Sequence, residues 1–168
     1  MKPRLGMTDA RCRRPHYSAW ITAAVVICLT LLSCAEIEKD MVWLSEGYLL
    51  SGRTIEAHDA AKKALELAQT HKERGHEAGA LKVLGDIAAH ENPGGHESEV
   101  FYQRALRLAC ELGMRPLEAH CNFSLGKLYL KAQSKAAPHE LAKASVLYSD
   151  MNMRFWLAEA EKALAEAR

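Results

Sequence analysis

Eight histidines and five cysteines in 168 residues raise the question of metal or acid–base chemistry first. His71 and His76 stand five apart, whereas side chains that share a helix face stand three or four apart. His120 and Cys121 are adjacent and diverge. The chain has no H-E-x-x-H, no paired C-x-x-C and no glycine-rich phosphate loop, so it implies no metal and no cofactor. Ser98, Ser124 and Ser134 lie in no nucleophile elbow. Isolated histidines on helices serve as surface or core residues, and the expectation is a protein that is not an enzyme. Cys110 and Cys121 flank a predicted turn at Gly113 at unequal distances. A disulfide needs Cα atoms within about 7 Å, so both are read as small buried hydrophobes.

Composition narrows the class further. Hydrophobic residues make up 49% of the chain, enough for a packed core in one domain. The formal charge is +1, and basic residues alternate with acids along the helices. Neither feature drives binding to nucleic acid. The charge is uneven, however: Lys2, Arg4, Arg11, Arg13 and Arg14 face only Asp9 before residue 34. An uncharged apolar run from Trp20 to Leu32 follows. It is shorter than the roughly 20 residues a membrane-spanning helix needs, so residues 1–34 read as a secretory signal or short anchor. The run ends in Leu31-Leu32-Ser33-Cys34, which resembles a bacterial lipobox. That resemblance implies cleavage before Cys34, a lipid on Cys34, and a membrane-associated or exported protein. An uncleaved short anchor and a start at Met7 are the alternatives, and without a signal the chain would be cytoplasmic.

The remainder, residues 35–168, repeats itself about every 40 residues, which marks a repeat array. Leu44-Ser45 followed by Tyr48 returns as Leu84-Gly85 followed by Ala88, and as Leu125-Gly126 followed by Tyr129. Ala64-Leu65-Glu66-Leu67-Ala68 returns as Ala105-Leu106-Arg107-Leu108-Ala109, and more weakly as Ala144-Ser145-Val146-Leu147-Tyr148. Glu77-Ala78 and Glu118-Ala119 keep the same offset.

The elements that carry these residues read as helices. Val42, Leu44, Tyr48 and Leu49 recur at helical spacing before Gly52. A second helix spans about Thr54 to Thr70, with Ile55, Ala57, Ala61, Ala64, Leu65 and Ala68 as its apolar stripe. Others run from about Arg74 to His90 and from about Glu97 to Leu112, divided by Asn92-Pro93-Gly94-Gly95. Pro116 opens a fifth, reaching about Lys131. A sixth covers about Lys135 to Asp150 and a seventh about Arg154 to Ala167. No sustained period-2 alternation appears, so the fold class is all-α. Gly85 and Gly126 fall where paired helices should cross closely, because glycine within a helix costs about 1 kcal/mol relative to Ala and needs a steric reason.

Each unit resembles a tetratricopeptide repeat. Unit one matches with Leu44, Tyr48, Gly52, Ala57, Ala61 and Ala64; unit two with Leu84, Gly85, Tyr102 and Ala105; unit three with Leu125, Gly126 and Tyr129. The units are longer than the common repeat of that family. The run Glu111 to Leu117, with His120, Leu125-Gly126 and Met153 to Leu157, resembles the C-terminal repeats of bacterial adenylate/guanylate-cyclase-associated ATPases and transcriptional regulators. Ser45 for Gly, Ala88 for the aromatic, and Pro138 depart from the pattern.

The resemblance implies a right-handed α-solenoid of about three helix pairs with a C-terminal capping helix. Phe155, Trp156, Leu157 and Leu164 would seat that cap, and Glu159, Lys162 and Glu166 would face solvent. It also implies a groove for a protein or peptide partner, lined by Glu46, Lys82, Asp86, His90, His120, Phe123, Lys127 and Lys131, with Val42 and Leu49 exposed beside Glu46. Lys82, Lys127 and Lys131 are then candidates for an acidic peptide or a C-terminal carboxylate, or are ordinary solvated lysines. Two functions follow from the resemblance: a non-enzymatic interaction scaffold, lipid-anchored in one version, or a detached cytoplasmic regulatory module of a signalling ATPase or cyclase. A truncated array would also expose an apolar end and self-associate.

Overall fold

The computed structural model describes residues 40–93 and 95–167; the targeting segment read from residues 1–34, with Cys34, lies outside them. All regular structure among the described residues is helical. Residues 40–50 belong to α1. Then come α2 (Thr54–His71), α3 (Arg74–Glu91), α4 (His96–Leu112), α5 (Arg115–Lys131), α6 (Ala137–Asp150) and α7 (Arg154–Glu166). Pro116 and Pro138 sit in the first turns of α5 and α6, where an N–H would have no intrahelical partner anyway. No helix among the described residues is long and apolar enough to cross a membrane.

One turn closes most of the connections. Gly52, Lys72, Gly113, Gln133 and Asn152 all take positive φ. In each case the next residue's N–H returns to a carbonyl of the last helical turn: Arg53 to Tyr48 at 2.9 Å, Glu73 to Ala68 at 2.8 Å, Met114 to Ala109 at 2.8 Å, Ser134 to Tyr129 at 2.9 Å and Met153 to Tyr148 at 2.9 Å. This is the left-handed closure that satisfies the terminal carbonyls of a helix. Glycine adopts it freely, whereas a residue with a Cβ is strained by about 1–2 kcal/mol. Gln133→Gly is therefore expected to stabilise the protein by about 1 kcal/mol, read as a raised urea midpoint. An unchanged or lowered midpoint would count against strain at this position.

Packing follows chain order. Consecutive helices from α2 to α7 pack on one another, and α3 also touches α5. The buried face of α2 is nearly all alanine (Ala57, Ala60, Ala61, Ala64, Ala68), a residue that favours helix and lets backbones approach. The core is a series of clusters: Ala57, Ala61, Val83, Leu84 and Ile87; then Leu81, Ala105 and Cys121; then Phe123, Leu141, Ala144, Tyr148 and Ala160.

The sequence repeat is also a repeat of contacts. Arg74 at the start of α3 pairs with Glu111 at the end of α4. Arg115 at the start of α5 pairs with Asp150 at the end of α6, at 2.8 Å. These pairs are half exposed, worth about 0–1 kcal/mol each, so they report register more than stability. Close crossings repeat as well. A Cβ on Gly85 would lie 2.6 Å from Tyr102 of α4, and one on Gly126 would lie 2.6 Å from Leu141 of α6. In the first unit Ser45 occupies this place, and its hydroxyl donates to the Ala57 carbonyl at 2.7 Å.

Some sequence expectations are corrected. Ile55 is 74% exposed and leaves the α2 stripe, while Ala60 joins it. Leu44 is 46% exposed although its counterparts Leu84 and Leu125 are buried; those two lie within the stack, and α1 has no described helix before it. Val42 and Leu49 pack on the core rather than standing free. Cys110 is exposed and only Cys121 is buried, both as free thiols, because Cys110 falls beside the buried Ala105–Ala109 face rather than on it. Phe155 is 69% exposed, so α7 is seated by Leu157, Ala160, Ala163 and Leu164 instead.

Candidate functional site

A groove of about 470 Å³ runs across the odd-numbered helices. Lys82, Asp86 and His90 enter from α3, His120, Phe123, Lys127 and Lys131 from α5, Leu50 from α1 and Trp156 from α7. Tyr102 of α4 reaches it past Gly85. The spacings explain the convergence: 82, 86 and 90 form one stripe of α3, and 120, 123, 127 and 131 one stripe of α5. Of the groove residues expected from sequence, all but Glu46 line this cavity. Glu46 stands beside it, 3.8 Å from Lys82.

Lys82 is not the available cation that the sequence suggested. It is 21% exposed and its ammonium lies 2.6 Å from Asp86. Burial alone would lower its pKa, but Asp86 and then Glu46 outweigh that cost and raise it. Asp86 also accepts the Tyr102 hydroxyl at 2.9 Å. Tyr102 is held protonated by burial first and by that carboxylate second. At this end of the groove the Lys82 charge is thus matched internally, by two carboxylates around one ammonium. Lys127 and Lys131 have no carboxylate within ion-pairing distance among the described residues. Lys127 instead lies over the Phe123 ring, 5.3 Å from its centroid, a cation–π contact.

The floor between them is aromatic. His120 stands edge-on to Trp156 at 4.8 Å, Tyr148 stacks on Trp156 at 6.2 Å and 23°, and Phe123 meets both edge-on. The Tyr148 hydroxyl lies 2.8 Å from His120 Nδ1. Sequence reasoning assigned Trp156 to the cap and did not single out Tyr148. The His120 to Phe123 spacing was visible, but the partners of those rings lie on α6 and α7, about a repeat away.

Burial first, and then the nearby Lys82 charge, lower the pKa of His120 below its ordinary 6.5, with Asp86 opposing. The folded protein therefore binds this proton less readily than the unfolded chain. The resulting stability is complete above the unfolded value and is lost as pH falls below it toward the folded value. Thermal midpoints measured from neutral to mildly acidic pH should fall more steeply for the wild type than for His120→Gln. Parallel curves would remove His120 from the account.

Cys121 is buried, and burial pushes its thiol up to about 12, away from the thiolate that nucleophilic chemistry uses. No group of three or more His, Cys, Asp or Glu is placed to hold a metal ion among the described residues. No protein-family model matches the chain, and no curated protein does. The groove itself is what remains to be interpreted: an aromatic floor, a lysine held by two carboxylates at one end and two lysines at the other.

Proposed function

We propose that this chain is a non-enzymatic interaction scaffold, a tetratricopeptide-like right-handed α-solenoid that docks an extended segment of a partner protein in the groove across its odd-numbered helices. The observation that carries this reading is the gathering of two helix stripes and a C-terminal aromatic on one open surface. Repeat proteins bury their core between neighbouring units and leave such a continuous face for binding. The repeated ion pairs and close crossings support the repeat assignment.

A photo-crosslinking amino acid placed in the native host tests the reading. At Ser124, in the groove, it should give discrete protein adducts; at Arg107, on the exposed side of α4, it should not. Equal labelling at both positions, or none at Ser124, would reject groove docking. We further propose that Cys34 lipidation places the scaffold at a membrane. Intact mass of the membrane fraction should then show a species beginning at Cys34 with added acyl mass. An unmodified soluble protein would favour the cytoplasmic regulatory module instead.

A further inference from the structure

We propose that His120 is the specificity-determining donor of the groove, locked by Tyr148 with its proton on Nε2, and that it selects a partner segment carrying an acidic side chain beside an apolar anchor. The proposal rests on the groove reading above and names the chemistry of its occupant.

The lock follows from hydrogen-bond accounting. Tyr148 is fully buried, and its hydroxyl has His120 Nδ1 as its partner at 2.8 Å, with no other among the described residues. A buried donor left without an acceptor costs about 1–3 kcal/mol. The arrangement that leaves none is a Tyr148 O–H donating into the lone pair of Nδ1, which puts the ring proton on Nε2. The reverse tautomer would strand the phenolic hydrogen inside the protein. Neither ring can turn away, because Tyr148 stacks on Trp156 and His120 stands edge-on to the same indole. Nδ1 is thus committed to the core side, and Nε2–H is the polar group His120 brings to the groove.

What lies beside that donor defines the ligand. Lys82 and Asp86 of α3 face His120 and satisfy each other; α6 contributes Tyr148 and α7 the uncharged Trp156. Further along the α5 stripe come the ammoniums of Lys127, over the Phe123 ring, and Lys131, neither in an ion pair among the described residues. The α5 wall therefore offers donors in a row, Nε2–H and then two cations; Glu159 and Glu166 of α7 share a neighbouring pocket with the two lysines but form no ion pair with them among the described residues. The floor offers Trp156, still 37% exposed, as an apolar seat. Charge complementarity calls for carboxylates along the wall and an aromatic or aliphatic side chain against the indole. A neutral or basic segment would leave the two ammoniums unpaired under the bound chain.

Two measurements on the full chain test this. Long-range ¹H–¹⁵N spectra of ¹⁵N-histidine-labelled protein, with His120 assigned through His120→Gln, should show an unprotonated Nδ1 and a protonated Nε2. Tyr148→Phe should lose that preference while keeping the rings packed. A proton on Nδ1 in the wild type would overturn the proposal without any ligand.

The second measurement selects a displayed library of random dodecapeptides on the protein and titrates the enriched sequences as labelled peptides. Enriched peptides should carry Asp or Glu next to an aromatic or aliphatic residue. Their affinity should fall about tenfold or more in His120→Phe and in the Lys127→Glu/Lys131→Glu double variant, since one charge-assisted hydrogen bond is worth about that factor. Lys62→Glu, on the exposed face of α2, should leave it unchanged. Neutral or basic peptides that need Trp156 but not the lysines would overturn the acidic-segment proposal and leave the groove reading standing. No enrichment, or peptides indifferent to every groove substitution, would overturn both.

Discussion

Tyr148→Ala is expected to cost about 3–5 kcal/mol, the range for removing a large buried aromatic. The side chain is fully buried at the junction of α5, α6 and α7 and packs with Ala119, Phe123, Leu141 and Ala160. Its loss opens a cavity under Trp156 and leaves His120 Nδ1 without its hydroxyl partner. Tyr148→Phe keeps the ring and removes that single interaction, so about 1–2 kcal/mol is expected. Urea unfolding followed by far-ultraviolet circular dichroism separates the two. A Tyr148→Ala loss no larger than that of Tyr148→Phe would mean that the ring does not hold the C-terminal helices together.

Gly126→Ala is expected to destabilise the protein by about 2 kcal/mol, although alanine is the better helix former. Helix propensity alone would stabilise by about 1 kcal/mol, and overpacking costs typically 1–3 kcal/mol, occasionally more. Geometry decides between them. The new Cβ would lie 2.6 Å from Leu141 Cγ, 2.7 Å from its Cδ2 and 3.1 Å from its backbone nitrogen. The two leucine carbons carry most of the clash, and the backbone nitrogen close behind them leaves α6 no room to yield, so α5 and α6 must separate. The three atoms nearest a Cβ on Gly85 all belong to the Tyr102 ring, so the cost of Gly85→Ala depends on whether that ring can shift against its bond to Asp86. A double-mutant cycle with Leu141→Ala tests the mechanism. Removing the leucine should make the Gly126 substitution at least about 1 kcal/mol less costly, since contacting residues couple. Strict additivity would reject the steric account.

The pattern of breaks and stripes was legible because helix periodicity and proline and glycine signals are local. Gly52 and Gly113 mark their turns openly. Lys72, Gln133 and Asn152 make the same turn without a glycine; asparagine is the residue that next most often takes this conformation, whereas nothing in the residue type announces it at Lys72 or Gln133. Cys110 and Cys121 show the same limit. Their types suggest burial for both, but only one lies on a covered face. Ile55 and Phe155 read as core on hydrophobicity and stand in solvent, because a helix end presents apolar residues whether or not a neighbour covers them.

The groove divides in a similar way. Spacing along α3 and α5, read through the repeat pattern, sufficed to pick the residues that share a surface, since positions three and four apart on a helix must align. The electrostatic state of those residues was only partly legible. The spacing of Lys82 and Asp86, four apart on α3, already permits their ion pair, whereas the approach of Glu46 from α1 is decided by three-dimensional distance. The sequence by itself determined that residues 40–167 are helical and repetitive, and roughly where the helices break, because those properties depend on near neighbours and on a period. The tertiary structure alone decided that Trp156 would line the groove's floor and Tyr148 lie beneath it, both far along the chain from His120. Such contacts depend on how α5, α6 and α7 stack.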